Sequence, residues 1–186
     1  LGYLCETPGV SSAGPNIVFI LTDQERYFPE WPAGFDLPGR NRLQELGVTF
    51  SNHQITSCVC MPSRSTMLTG QYPRTHGSWN NGIALPHDSP TVAEHLKENR
   101  WRTALIGKPH FEPFSSEHSM EANLGVNNKF GPARGFDHMQ IASHDLVPRT
   151  GHYTQWLMAN YPDHVGDYYD LLNVPQNPGE HSTMNI

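Results

Sequence analysis

A near-continuous apolar run near the start of the chain constrains the fold more than any other feature. Residues 16–22 read Asn-Ile-Val-Phe-Ile-Leu-Thr. A run without polar alternation predicts a strand that is buried on both faces of a parallel sheet. A shorter apolar strand is predicted at Thr103–Ile106, and helical patterns lie between the two runs. This alternation of strand and helix predicts an α/β sandwich.

Further elements follow from capping residues and apolar spacing. Ser89 and Pro90 are a favourable cap and first residue for a helix, and Gly47 ends the preceding helical pattern. The expected elements are helices at 40–46, from Ser89-Pro90 onward and at 153–161, and an extended segment at 48–53. Their inner faces are expected at Leu43 and Leu46, at Val92, Ala93 and Leu96, and at Trp156 and Leu157. Residues 173–186 are polar and rich in Pro and Gly, which predicts a loop.

Composition excludes several classes of protein. The 186 residues carry a formal net charge of −6 with no basic patch, so nucleic acid is not an expected partner. No apolar run reaches the length of about 18 residues that a membrane span needs. Three cysteines do not form a disulfide framework. Residues 1–14 lack the pattern of an intact signal peptide, and the compartment stays open.

The segment from Cys58 to Gly70 is the most specific in the chain. It reads Cys-Val-Cys-Met-Pro-Ser-Arg-Ser-Thr-Met-Leu-Thr-Gly. Proline suits the first turn of a helix and glycine the residue after its end, so a helix is predicted from about Pro62 to Thr69. Cys60 then lies at the amino end of this helix, where free N–H groups and the helix dipole favour anions. Arg64 adds a cation one turn further along.

This segment resembles the sulfatase signature, with Cys60, Pro62 and Arg64 in place and Leu68-Thr69-Gly70 continuing the match. The resemblance implies an alkaline-phosphatase-like α/β sandwich with a mostly parallel central sheet flanked by helices. It also implies that a formylglycine-generating or equivalent maturation enzyme converts Cys60 to formylglycine. The resemblance covers residues 15–140, the family's amino-terminal part. We therefore interpret residues 1–14 as a tail and 15–186 as the first part of a sulfatase catalytic domain, incomplete in this chain and expected to be inactive alone.

Asp23 and Gln24 directly follow the first apolar run. Their oxygens are hard donors that suit calcium, magnesium or manganese. Residues 15–24 resemble the first strand and metal-binding turn of sulfatases, which implies a divalent metal held by Asp23, Gln24 and the group derived from Cys60, with calcium expected. Gln24 departs from the second aspartate of many sulfatases and matches phosphonate monoester hydrolases. The later aspartate segment that completes the family's metal site does not occur in the sequence.

The remaining catalytic residues come from the same resemblance. Formylglycine hydrates to a diol, one oxygen attacks sulfur or phosphorus, and the second hydroxyl later releases the ester. Arg64 would hold the diol. Gly107-Lys108-Pro109-His110 resembles the family's Gly-Lys-x-His segment, which implies that Lys108 bridges formylglycine and the substrate anion and that His110 supports proton transfer.

Other residues have less specific patterns. Asn81 is a candidate substrate contact by resemblance to phosphonate monoester hydrolases, and it lies equally in a good turn sequence, Asn80-Asn81-Gly82. Structural roles are expected for His76, Asp137 and His138. Cys58 is expected to be either a packing residue or a bystander thiol. His144 and His152 fall where a substrate-contacting histidine could lie.

The expected function is hydrolysis of a small organic sulfate monoester. Phosphonate or phosphate ester hydrolysis is one alternative, and a non-catalytic truncated relative is another. The sequence is compatible with assembly into a homo-oligomer.

Overall fold

The computed structural model describes residues 14–113, 119–142 and 151–164. The chain divides into two compact units, one from Ala13 to Ile55 and the other from Thr56 onward. Each unit is described by itself. In the described residues, no helix is long and apolar enough to cross a membrane.

Helices outnumber strands in the described part of the chain. The helices are α1 (Pro38–Leu46), α2 (Cys60–Thr69), α3 (Pro73–His76), α4 (Val92–Glu98), α5 (Met120–Val126) and α6 (His152–Asn160). The strands are β1 (Ala104–Gly107) and β2 (His138–Ile141), and a 3₁₀ turn spans Pro162–His164.

The two strands form a parallel pair joined through α5. Leu105 lies opposite Met139, and Gly107 lies opposite Ile141. Side chains of β2 alternate between buried and exposed, as the two-residue period of a strand requires. Met139 and Ile141 pack with Leu124 of α5 in one core cluster. This strand–helix–strand unit confirms the α/β class. Lys108 directly follows the carboxyl end of β1, which is where ligands bind in such folds.

A second core cluster lies under the signature helix. It contains Leu68 of α2, Leu85 and Phe111, each no more than 5% exposed. Leu105 and Phe136 pack against both clusters, so the two cores are continuous at β1. The segment that follows β1 is therefore buried between α2 and α5.

The first apolar run does not form the buried strand that its sequence predicts. Residues 16–22 have no strand pairing, and Val18, Phe19 and Ile20 are each at least 75% exposed. A strand forms only when its N–H and C=O groups bond to a neighbouring strand. The one sheet in the described residues pairs β1 with β2 alone. The predicted extended segment at 48–53 likewise forms no strand, and it turns at residues 51–52. Val48 and Phe50 in it are exposed.

The predicted helices are present with corrected boundaries or faces. α1 ends at Leu46 as expected, but Leu43 and Leu46 are more than 60% exposed and form no inner face. α4 begins two residues after the predicted Pro90, because Thr91 and Glu94 form a reciprocal capping box.

Inner faces were predicted less well than helix positions. Of the three residues expected inward on α4, Ala93 is buried, Leu96 is half-buried and Val92 is 52% exposed. On α6 Leu157 is half-buried and Trp156 is 49% exposed. The predicted loop at 173–186 lies outside the described residues, as does His144.

Candidate active site

Cys60 is the first residue of α2, which begins two residues before the predicted Pro62 and so has Cys60 at its amino end, as expected. Val59 is extended before it, and the Ser63 N–H donates to the Val59 carbonyl at 3.1 Å. Pro62 fits the first turn because its missing N–H would have had no partner inside the helix. Gly70 ends the helix with a positive φ of 69° and donates its N–H to Thr66. The half-buried Cys60 thiol therefore lies at the positive end of the helix dipole.

Asn81 contacts the start of this helix. Its Oδ1 accepts the Met61 N–H at 3.1 Å, and both its Oδ1 and Nδ2 lie 3.4 Å from Cys60 Sγ. The amide therefore caps α2 from a distant turn and also touches the candidate nucleophile. Its predicted substrate contact stays a prediction, but its position beside Cys60 is compatible with one.

Arg64 connects the signature helix to the segment after β1. Its Nη1 donates a short hydrogen bond to the backbone carbonyl of Lys108. The contact joins two segments that are 44 residues apart in sequence. The structure thus brings together Cys60, Arg64 and the Lys108–His110 segment, which sequence analysis grouped only by resemblance.

The Lys108–His110 segment has an unusual backbone. Gly107 has a φ of 112°, and His110, which is only 6% exposed, has a φ of 54°. Residues other than glycine rarely adopt this left-handed backbone conformation, so the surroundings must hold the His110 backbone in place. The Phe111 carbonyl accepts the Leu85 N–H at 2.8 Å, which fastens one side of the segment.

A buried charged cluster that sequence analysis missed lies behind this segment. Arg134 Nη2 donates to Glu112 Oε1 and to the Leu85 carbonyl, each at 2.8 Å, and both charged side chains are about 2% exposed or less. Glu121 of α5 accepts the Phe111 N–H at 2.8 Å. Burial, together with the nearby Glu112 charge, raises the pKa of the Glu121 carboxyl to about 8. The only local sequence signal was Ser119, which caps α5 and so places Glu121 in its first turn.

Asp23 and Gln24 lie in the unit from Ala13 to Ile55, and both are exposed. Gln24 has a φ of 55°, so the chain turns sharply directly after Asp23. Their oxygens have the hard-donor chemistry that calcium or magnesium requires, but two donors fall short of the six to eight that calcium takes. In residues 14–113, 119–142 and 151–164, no group of three or more His, Cys, Asp or Glu side chains is arranged to hold a metal ion. The metal site stays a prediction.

Two buried histidines are structural. His76 Nδ1 accepts the Ser78 N–H at 3.1 Å, and its Nε2 lies 3.2 Å from Thr66 Oγ1. His152 Nδ1 accepts the Ile141 N–H at 3.0 Å, and its Nε2 lies 2.9 Å from the Lys129 carbonyl. Burial lowers the pKa of both rings. His152 therefore joins α6 to β2, and both its ring nitrogens are used within the chain.

Asp137 and His138 also have architectural roles. Lys97 holds the pKa of the Asp137 carboxyl below its ordinary value, through an ion pair at 2.7 Å. Asp137 Oδ2 further accepts the Thr103 N–H at 3.2 Å, which ties the start of β1 to the start of β2. His138 begins β2 and stacks on Phe130. Cys58 is exposed, which agrees with the bystander thiol and not with the packing role among the two expected alternatives.

Comparison with known proteins identifies the family. The family model described as Sulfatase matches residues 15–171, and the chain belongs to the sulfatase family. A choline-sulfatase of Rhizobium meliloti is 32% identical over 118 residues, which are 62% of this chain and 23% of that protein. An ulvan-active sulfatase of Formosa agariphila is 39% identical over 53% of this chain and 20% of that protein. Human steryl-sulfatase is 33% identical over 59% of this chain and 21% of its own length. The chain thus spans only a fifth to a quarter of these relatives.

Proposed function

We propose that this chain carries the nucleophile-bearing part of an enzyme that hydrolyses an organic sulfate monoester through formylglycine made from Cys60. Membership of the sulfatase family supports sulfate ester hydrolysis in general. The observation that carries the finer proposal is the contact between Arg64 and the Lys108 backbone. It places the Lys108–His110 segment against the helix that begins at Cys60.

Each residue has a role that its position supports. The amino end of α2, Arg64 and Lys108 together supply fixed positive charge for a tetrahedral anion and for the charge that develops in the transition state. His110, held in its left-handed conformation, would be the group that exchanges a proton during turnover. Formylglycine at position 60 would supply the attacking oxygen. Asp23 and Gln24 would hold a divalent metal, which would supply Lewis-acid chemistry.

The relatives share one end of their substrates. Their names indicate sulfate esters of choline, ulvan and a sterol. These esters have the same sulfate end and very different alcohols. The proposal therefore extends to the sulfate monoester and leaves the alcohol open.

The proposal is tested in the natural gene product that contains this chain, made with a formylglycine-generating enzyme. A peptide spanning Cys60 should show the mass of formylglycine, and the protein should hydrolyse an aryl sulfate. Cys60→Ala should abolish turnover, whereas Cys58→Ala, a matched control at the exposed neighbouring thiol, should leave it unchanged. An unmodified Cys60 in an active enzyme, or full activity of Cys60→Ala, would overturn the mechanism.

Phosphonate ester hydrolysis is the second candidate, and the position of Asn81 favours it. The amide lies 3.4 Å from Cys60 Sγ, where it could also contact an ester bound to the modified residue. Asn81 and Gln24 resemble phosphonate monoester hydrolases, whereas those enzymes depart from the Gly-Lys-x-His segment at 107–110, which favours sulfate esters. Rates on matched aryl sulfate and aryl phosphonate esters decide between the two, and Asn81→Ala should reduce the phosphonate rate more if this candidate is right.

A non-catalytic relative is the third candidate. Asp23 and Gln24 are only two donors, and such a pair alone should bind calcium weakly. Calorimetric titration of the natural gene product with calcium distinguishes the cases. Tight binding supports an intact metal site, and no binding at millimolar calcium supports the non-catalytic reading.

A further inference from the structure

The segment from Lys108 to Phe111 needs an external support, because its backbone is strained. His110 has a φ of 54°, which a histidine does not adopt without restraint from its surroundings. Hydrogen bonds from other elements hold the segment in place. Arg64 donates to the Lys108 carbonyl, the Leu85 N–H donates to the Phe111 carbonyl, and Glu121 accepts the Phe111 N–H. Glu121 is the only one of these three partners that binds an N–H group of the segment.

Glu121 is itself held rigidly. It lies in the first turn of α5, is 1% exposed, and follows Ser119, whose hydroxyl accepts the Ala122 N–H. Glu112 accepts the Met120 N–H at 2.5 Å, which fastens the start of α5 to the residue directly after Phe111. Hydrogen bonds therefore hold the start of α5 and the Lys108–Phe111 segment together.

In the buried cluster of Arg134, Glu112 and Glu121, the uncharged side chain is Glu121. Arg134 and Glu112 are paired and offset each other's charge. A second buried carboxylate would face Glu112 without a cation of its own. Burial and the Glu112 charge accordingly raise the pKa of Glu121 well above its ordinary value, so the carboxyl group is protonated at neutral pH.

We propose that Glu121 is a positioning residue of the active site, whose buried carboxyl group holds the Phe111 amide and thereby sets the placement of Lys108 and His110. This inference rests on the proposed function for its effect on turnover, and on the geometry alone for its effect on the segment. Lys108 and His110 act at the substrate, whereas Glu121 acts through them.

Two substitutions separate this role from a general contribution to stability. Glu121→Gln keeps an uncharged acceptor of nearly the same shape for the Phe111 N–H. Glu121→Met keeps the volume and removes the acceptor. Leu124→Ala, on the same helix, opens a cavity in the core cluster that Leu124 forms with Met139 and Ile141. It is the control for destabilisation.

The first readout is amide exchange across residues 107–112 in the natural gene product. We expect Glu121→Met to accelerate exchange at Phe111 at least tenfold, while Glu121→Gln and Leu124→Ala leave it close to the parent. Unchanged exchange in Glu121→Met overturns the proposal, whether or not the protein is a hydrolase.

The second readout is aryl sulfate turnover at a temperature where all variants are folded. Displacement of catalytic groups by about 1 Å costs up to about 100-fold in rate, so Glu121→Met should lose about 10- to 100-fold in kcat. Glu121→Gln should stay within about threefold of the parent. A parallel loss of kcat in Leu124→Ala, or faster exchange in Glu121→Met without loss of kcat, overturns the positioning role. A parent with no activity overturns the proposed function, and the exchange result then decides alone whether Glu121 orders the segment.

Discussion

Replacing Glu121 by glutamine should remove a large pH dependence from the stability of this protein. In the folded chain, burial raises the pKa of Glu121 from 4.5 to about 8. Between these values the folded state keeps a proton that the unfolded chain has lost. A carboxyl group with a raised pKa stabilises the folded state fully below the unfolded pKa, and its contribution is lost as the pH rises toward the folded pKa. Glutamine has no proton to lose, so it lacks this dependence.

The magnitude follows from the width of the window. Each pH unit between the two pKa values changes the folding constant about tenfold. From pH 5 to pH 8 the parent should therefore lose roughly 4 kcal/mol relative to Glu121→Gln as an upper limit, because water reaching the carboxylate would relieve part of the cost. At pH 5 the two proteins should have similar stability, and at pH 8 the variant should be the more stable one.

The assay is urea unfolding of both proteins at pH 5, 6, 7 and 8. The difference between the two free energies of unfolding is the quantity of interest, because contributions from all other groups cancel in it. Glu98→Gln, at an exposed glutamate of α4, is the control and should run parallel to the parent. Parallel curves for Glu121→Gln and the parent would show that Glu121 is ionised in the folded state, and would refute the argument for a neutral buried carboxyl group.

Three further substitutions test local features. Gly70→Ala forces alanine into a φ of 69° and should lower the free energy of unfolding in urea by about 1 kcal/mol. Gly39→Ala, at a position with open space and an ordinary φ, is the control and should not destabilise the protein. Equal effects of the two substitutions would contradict the left-handed cap. Asn81→Ala removes the acceptor for the Met61 N–H and should cost about 1 kcal/mol, with Asn81→Asp restoring most of it; an unchanged midpoint would argue against the cap. Burial lowers the pKa of His152, so its contribution to stability is present above the unfolded pKa of 6.5 and is lost as the pH falls below that value. In thermal melts, His152→Gln should reduce the fall of the melting temperature at acid pH. An unchanged fall would exclude His152 as its source.

Local signals predicted the elements that carry the candidate site. The helix at Cys60 was predicted because Pro62 and Gly70 act through their own backbones, whatever the rest of the chain does. The strand before Lys108 was predicted to within one residue for a similar reason, since β-branched and apolar residues there are bounded by Gly107. Such signals depend on neighbours in sequence, which a single chain displays completely.

Features that depend on distant partners were not predicted. Residues 17–21 have the composition of a buried strand, but burial requires neighbouring strands that an apolar run cannot supply by itself. The strand β2 was not predicted, because four residues with two polar side chains give a weak pattern. The start of α4 was misplaced although Thr91 and Glu94 have capping-box spacing, because Ser89-Pro90 offered a competing start.

The contacts that position the candidate catalytic residues share one property. Asn81 bonds to the Met61 N–H, Arg64 to the Lys108 carbonyl and Glu121 to the Phe111 N–H, so each reaches a backbone group. Backbone groups are the same in every residue except proline. The first bond therefore positions the start of α2, and the other two position the Lys108–Phe111 segment, regardless of the side chains carried there. It follows that substitutions of the Lys108 or His110 side chain leave these three bonds available. Loss of activity in such variants can then be read as loss of the side chain's chemistry, whereas loss through Glu121 reports the placement of the backbone.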